Sequence, residues 1–184
     1  MKKIITCLTI VAAFAATDVL AFAPDLDPYV SGKVGFVYTA PEGLNHDLFG
    51  ANVLGAVGVN YKANWNVNIR QELEASYALQ AGRNTNLVTN TFAGMANLYF
   101  DFGRRWTVRP YVGAGLGIAS VIVNPKDVSA YSAFGFNWGL YAGLNIDLSY
   151  RWTMDLGLRY TEVETKHASD FPTYGLTLGM RYQF

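Results

Sequence analysis

Residues 174–184 alternate without a fault between an apolar side (Tyr174, Leu176, Leu178, Met180, Tyr182, Phe184) and a small or polar side (Gly175, Thr177, Gly179, Arg181, Gln183). A period of two puts successive side chains on opposite faces of a β-strand, so this segment is a strand with two chemically different sides. Its length fits the roughly 9 to 11 residues with which a tilted strand crosses a bilayer. Phe184 stands where an interfacial belt would place an aromatic ring.

The other end points to export. Lys2 and Lys3 precede a mostly apolar run over 4–16, and small residues follow at cleavage spacing, so residues 1–21 read as a secretory signal peptide. Cleavage after Ala23 is the alternative, disfavoured because Pro24 would become the new N-terminus. Residues 22–184 are then one domain. The single cysteine, Cys7, lies inside the leader, so the expected mature chain has no disulfide, reactive thiol or cysteine metal ligand, and no cofactor is expected.

Removing Lys2, Lys3 and Asp18 with the leader leaves 12 cationic and 13 anionic side chains of the original 14 and 14. A net charge near −1 gives no electrostatic case for nucleic acid. The charged fraction of 15% is well under the roughly 25% of soluble domains. No long apolar segment remains after the leader, which rules out a helical membrane protein but not a barrel, whose apolar residues occupy alternate positions.

Three polar breaks, each preceded by an aromatic residue, are followed by a tryptophan: Tyr61 and Trp65, Phe102 and Trp106, Tyr150 and Trp152. The tryptophans are 41 and then 46 residues apart, the length of a hairpin of two bilayer-crossing strands. This predicts strands over 29–40, 51–61, 65–79, 89–102, 106–122, 131–149, 152–165 and 174–184. Loops over 41–50, 80–88, 123–130 and 166–173 carry turn formers such as Pro41, Gly43, Gly82, Pro125 and Pro172. The expected fold is all-β: an eight-stranded antiparallel up-and-down transmembrane barrel, its three tight turns and Phe184 in the periplasm and its four longer loops outside the cell. Tyr61, Trp65, Phe102, Trp106, Tyr150, Trp152 and Phe184 would form the periplasmic aromatic girdle.

One face of each strand is apolar (Val34 and Phe36, Val53 and Val57, Leu73, Phe92 and Leu98, Val112 and Ile118, Phe134 and Leu140, Leu156 and Leu158) and is read as lipid-facing, with Gln71 its one mid-strand polar residue. A cation there would cost about 2 to 4 kcal/mol, which accounts for the absence of charge. The other face carries five cations and five anions. Counted from the turns, Asp101, Arg109, Asp147, Asp155 and Arg181 fall low, and Lys33, Arg70, Glu72, Glu74 and Arg159 higher. Buried ions persist only when paired and hydrogen-bonded, so these ten residues are read as an interior salt-bridge network plugging the barrel. Glycines at 113, 115, 117, 135, 139 and 143 would leave room for bulky neighbours such as Tyr111 and Tyr141. A soluble lipocalin-like barrel would turn the faces inside out, exposing a surface too poor in Lys and Glu for an ordinary soluble protein.

In these features the chain resembles the small eight-stranded bacterial outer-membrane β-barrels: the OmpA-like transmembrane domain, the OmpX/Ail group and the opacity-type surface proteins. The segments that carry the likeness are 109–117, Arg-Pro-Tyr-Val-Gly-Ala-Gly-Leu-Gly, similar to that family's central strand, and the ending 179–184. The terminal strand, with Tyr182 and Phe184, resembles the signal by which such barrels are recognised for assembly, which implies the barrel-assembly machinery as a partner. The resemblance also implies outer-membrane lipid and lipopolysaccharide as surroundings, and a non-enzymatic role in envelope structure and surface contact or adhesion, with a host or environmental surface ligand for the loops. A narrow porin-like channel is the alternative. Ending at the barrel, the sequence departs from full-length OmpA, so tethering to peptidoglycan through a following domain is not expected.

A third reading is enzymatic. His167 and Ser169, with Asp170, Glu162 and Glu164 nearby, resemble the catalytic pair of the outer-membrane lipid A deacylases, in which His activates a Ser nucleophile. That family places the pair on a lipid-facing strand with an orienting Glu further along the chain, where this sequence has no acid, so a hydrophilic loop is the preferred reading. His46, beside Asp47, has no second ligand at metal spacing and is read as a solvated loop residue. Glu72 and Glu74 share one side of a strand with Arg70 and are read as structural ion-pair partners rather than an acid/base pair. The loops are mildly acidic, while the turns hold Lys62, Arg104, Arg105 and Arg151 with no acid, so a polyanion would find little attraction outside.

Overall fold

The computed structural model describes residues 26–40, 47–63, 66–82, 88–103, 105–124, 131–165 and 171–184. They form eight strands: β1 (Leu26–Thr39), β2 (Leu48–Lys62), β3 (Val67–Gly82), β4 (Val88–Phe102), β5 (Val108–Asn124), β6 (Tyr131–Asp147), β7 (Trp152–Thr165) and β8 (Phe171–Gln183). Each pairs antiparallel with the next, and β1 pairs with β8 from Tyr29 opposite Gln183 to Thr39 opposite Thr173, which closes the barrel. The predicted leader, His46, Trp65, Arg104, and the His167 and Ser169 pair lie outside the described residues.

The strand ends differ from the sequence reading at both rims. At the turn end, Trp106 does not open β5. Its N–H donates to the Gly103 carbonyl at 2.7 Å and closes the turn, and β5 begins at Val108. Gly103 adopts φ +74°, and a Cβ there would lie 2.4 Å from Cε3 of the Trp106 ring, so both the backbone and the packed indole require glycine. Likewise β6 stops at Asp147, because the N–H groups of Leu148 and Ser149 both turn back to the Trp152 carbonyl. At the loop end the strands run further than the turn formers suggested. β2 starts at Leu48, β3 continues to Gly82 and β8 starts at Phe171, because neighbouring strands there still satisfy one another's backbone groups.

Closure decides which face is inside. Phe36 and Phe134 are 76% and 67% exposed on the outer wall, whereas Arg70 and Asp101, on the opposite face, are each 1% exposed. The apolar outer wall continues as Val53, Val57, Leu73, Ile118, Leu140, Leu158 and Leu178. The ligand-filled soluble arrangement, apolar inside and polar outside, is therefore reversed in this molecule.

Aromatic rings mark both rims of that wall. At the turn end, Trp152, Tyr182 and Phe184 stack with centroids 4.9 and 5.4 Å apart, and Phe102, Trp106 and Tyr150 are exposed beside them. At the loop end, Phe49, Tyr38, Tyr174, Tyr160 and Trp138 run across five adjacent strands with successive separations of 5.0, 6.3, 5.2 and 5.4 Å. The sequence reading found only the first of these belts. Tyrosine and tryptophan suit such positions because their rings are apolar and their polar tips reach water.

Candidate functional site

Within the lumen the strand pattern points a file of ionised side chains at one another. From the loop side downward, Arg159 on β7 donates to both carboxylate oxygens of Glu74 on β3, at 3.1 and 2.7 Å. Lys33 on β1 lies 3.9 Å from Glu74 and 3.2 Å from Glu72. Glu72 is 3.5 Å from Arg70, Arg70 is 3.2 Å from Asp101 on β4, and Asp101 is 4.0 Å from Arg181 on β8. Seven residues thus form one unbroken ion chain drawn from five strands. All are buried except Arg159, which is partly so.

Two expectations about these residues need correction. Counting along strands separated Arg70 from Asp101 into different tiers, yet they touch, because barrel strands are tilted and staggered and equal counts do not give equal heights. The ten charges also do not make a single network. Arg109 pairs with Asp147 at 2.6 Å near the turn end, where Thr153 also donates to Asp147, and among the described residues no ion pair joins it to the chain. Asp155 accepts from the Tyr111 hydroxyl at 3.1 Å rather than from a cation.

Four tyrosines complete the lumen: Tyr111 and Tyr141, expected inside from the glycines around them, and Tyr29 and Tyr99, which the sequence did not single out. Arg70 lies with its guanidinium carbon 4.2 Å from the Tyr99 ring centre and 5.2 Å from that of Tyr111, Arg159 covers Tyr141 at 4.9 Å, and Arg181 covers Tyr29 at 5.2 Å. Stacking on the negative face of a ring stabilises a desolvated cation by about 2 kcal/mol or more. The hydroxyls serve the anions and amides: Tyr29 donates to Glu72 at 2.9 Å and Tyr141 to Asn97 at 3.1 Å. Glycines make the room. A Cβ on Gly113 would strike the Tyr99 ring, on Gly115 or Gly139 the Tyr141 hydroxyl, and on Gly143 the Tyr111 ring. At Gly117 and Gly135 it would instead meet backbone carbonyls of the neighbouring strand.

Above the Arg159 and Glu74 pair the lumen changes character. Ala119, Val121, Val123 and Val163 form a buried apolar patch on one wall. Beside it is a cavity of about 60 Å³ whose polar lining includes Thr39, Asn52, Gln80, Thr89, Asn137 and Arg159. A hydrogen-bonded file edges it: Gln80 donates to the Thr39 hydroxyl at 2.7 Å, and Thr39 meets the Thr173 hydroxyl at 2.6 Å. Outside the barrel, the Tyr160 hydroxyl donates to Glu162 at 2.5 Å, so this carboxylate is engaged at the aromatic rim.

Residues 6–184 match the outer membrane protein beta-barrel domain family. The chain belongs to that family. As an outer-membrane β-barrel it resembles several solved structures in fold. Neisserial surface protein A aligns with a TM-score of 0.73 at 16% identity over 85% of this chain and 97% of that one. Ail, the attachment invasion locus protein of Yersinia pestis, aligns at 0.56 with 15% identity over 86% and 98%. The outer membrane enzyme PagL aligns at 0.58 with 14% identity over 82% and 97%. In sequence, an uncharacterised protein of Brucella abortus (strain 2308) is 28% identical over 123 residues, 57% of this chain and 43% of the relative, so the chain spans less than half the length of that relative.

Proposed function

We propose that this outer-membrane barrel is a non-enzymatic envelope protein that presents the four connections at its loop end outside the cell for surface contact. The observation that carries the reading is the ion chain from Arg159 to Arg181, which crosses the lumen between strands on opposite sides and fills it with paired charge and tyrosine rings. An eight-stranded barrel is just wide enough for side chains to fill. A lumen closed in this way leaves the rims and the outer wall as the parts available to partners. The mildly acidic loops favour a basic protein ligand or bridging by divalent cations over a polyanion.

Single-channel recording in planar bilayers tests the closed lumen. The expected outcome is little or no steady conductance from the purified barrel. A stable, ion-selective open state in most insertions would overturn it in favour of a narrow porin. A lipid A-modifying activity rests on His167 and Ser169 and on a fold shared with an outer-membrane enzyme. It would require that lipid A lose an acyl chain on expression of the protein and keep it with His167→Ala.

A further inference from the structure

Gln71 is a carboxamide set into the apolar outer wall, and nothing in its own barrel answers it. It lies on β3 directly opposite Val59 of β2 and Leu98 of β4. The side chain is only half-buried, and among the described residues it has no hydrogen-bond partner. Asn90, on the same wall near the loop end, is different: it accepts from the Tyr77 hydroxyl at 2.7 Å. Four residues separate Gln71 from Val67, where β3 begins opposite Phe102. At about 3.3 Å per residue and a tilt of about 40°, Gln71 lies roughly 10 Å above the turn-end rim. Water and lipid head groups stop near that rim, so at this depth the bilayer offers the amide no partner.

The wall beside Gln71 is also recessed. Gly32, Gly55, Ala75 and Gly94 face one another in register across β1 to β4. They floor a trough between one ridge at Val53, Tyr77 and Phe92 and another at Val57 and Leu73. A Cβ on Gly32, Gly55 or Gly94 would meet nothing, whereas on the inward-facing glycines it would crowd a neighbour. Packing within the barrel therefore gives these three outward glycines no reason to be glycine. Glycine weakens a strand interior and marks places where another backbone comes close.

We propose that this wall, centred on Gln71, is a dimer interface whose occupant is a second copy of the barrel, related by a two-fold axis along the membrane normal. A carboxamide holds a donor and an acceptor in one planar group. Two Gln71 side chains meeting at the axis donate to each other's oxygen, and both are satisfied. An isologous contact supplies that match by symmetry, whereas a different protein would need a polar group of its own at the same depth. Acyl chains alone would fill the trough but leave the amide unpaired. Close packing is what drives association between surfaces that lipid already solvates, and a floor of small residues permits it. The inference goes beyond the surface-contact reading and does not depend on what the loops bind.

The test is sedimentation equilibrium of the full barrel in density-matched micelles, repeated as energy transfer between labelled copies in liposomes at rising protein-to-lipid ratio. A reversible monomer to dimer equilibrium is expected. Gln71→Leu, apolar and of similar size, should weaken dimerisation about three- to tenfold, the worth of a hydrogen bond between membrane-spanning segments. Heat-modifiable mobility should show that variant still folded. Gly94→Leu, whose new side chain meets only space in its own barrel, should weaken the dimer at least as much while the monomer folds normally. In liposomes a short bifunctional thiol reagent should join copies carrying Leu98→Cys, beside Gln71, and not copies carrying Leu158→Cys on β7, across the barrel. The proposal is overturned if the barrel is monomeric at every ratio, so that lipid alone covers this wall. It is equally overturned if Gln71→Leu leaves the equilibrium unchanged or if both cysteines cross-link alike, since association would then use another surface.

Discussion

Arg159 and Glu74 stand on β7 and β3, strands that share no backbone ladder, yet two hydrogen bonds of 3.1 and 2.7 Å join them across the lumen. A bidentate pair fixes orientation as well as distance. Removing one member of a buried pair strands the other without water to solvate it, a penalty of about 3 to 5 kcal/mol.

The ion chain predicts an unequal pattern of rescue. Arg70→Ala should lower the unfolding free energy by about 3 to 5 kcal/mol in urea titrations. Adding Asp101→Asn should recover much of this, since Asp101 would otherwise keep only Arg181 at 4.0 Å. Adding Glu72→Gln should recover less, because Glu72 retains Lys33 at 3.2 Å and the Tyr29 hydroxyl at 2.9 Å. Strict additivity in both double variants would mean that the charges are hydrated independently.

The outer wall predicts a depth-dependent penalty. Leu73→Arg, at an exposed apolar position in mid-strand, should cost about 2 to 4 kcal/mol in a lipid bilayer. Leu148→Arg at the turn-end rim, where Leu148 is exposed, should cost only about 0 to 1 kcal/mol in the same refolding assay. Equal effects would show that residue 73 does not lie at bilayer depth.

Orientation is read from chemical access. A cysteine at Asn84 should react with an impermeant thiol reagent on intact cells. One replacing Tyr150, 96% exposed at the turn end, should react only after the outer membrane is opened. Labelling of the Tyr150 site first would invert the barrel in the membrane.

Phe184 separates assembly from stability. Its ring is 70% exposed and meets Tyr182 edge-on at 5.4 Å, so Phe184→Ala should cost only about 0.5 to 1.5 kcal/mol in detergent. A recognition-signal role, which the resemblance of the terminal strand implies, would give a much larger fall in the amount inserted in cells, measured by heat-modifiable mobility of the outer-membrane fraction. Small effects in both assays would make it a belt residue alone.

Most of the strand pattern was legible because each strand is apolar on one side only. The signal failed where both faces carry similar residues. Val121, Ile122 and Val123 are all apolar, yet Val121 and Val123 point inward, so alternation could not reveal an apolar patch inside the barrel or carry the strand beyond it. Turn formers misled at Gly82 and Pro172, which belong to paired strands. The ten charges were visible as an interior set, but their pairing was not, because it depends on stagger between strands and strand counting contains none. Tyr111 and Tyr141 were marked as interior by the glycines beside them, whereas Tyr29 and Tyr99 carried no mark distinguishing them from rim aromatics until closure showed which cation each one faces.

The β1 to β8 seam joins the first and last strands, whereas every other ladder joins consecutive ones. Seven of the eight ladders can therefore form progressively along the chain, and the eighth only when the sheet curls onto itself. Lys33 on β1 and Arg159 and Arg181 on β7 and β8 reach carboxylates on β3 and β4, so the flanks of the seam are tied to the wall opposite. An open sheet would hold those charges facing lipid with their partners out of reach. Closure is thus made nearly all-or-none: a half-curled intermediate gains little from a partial ring, and the finished one cannot unzip at its seam without separating ions on the far side of the lumen.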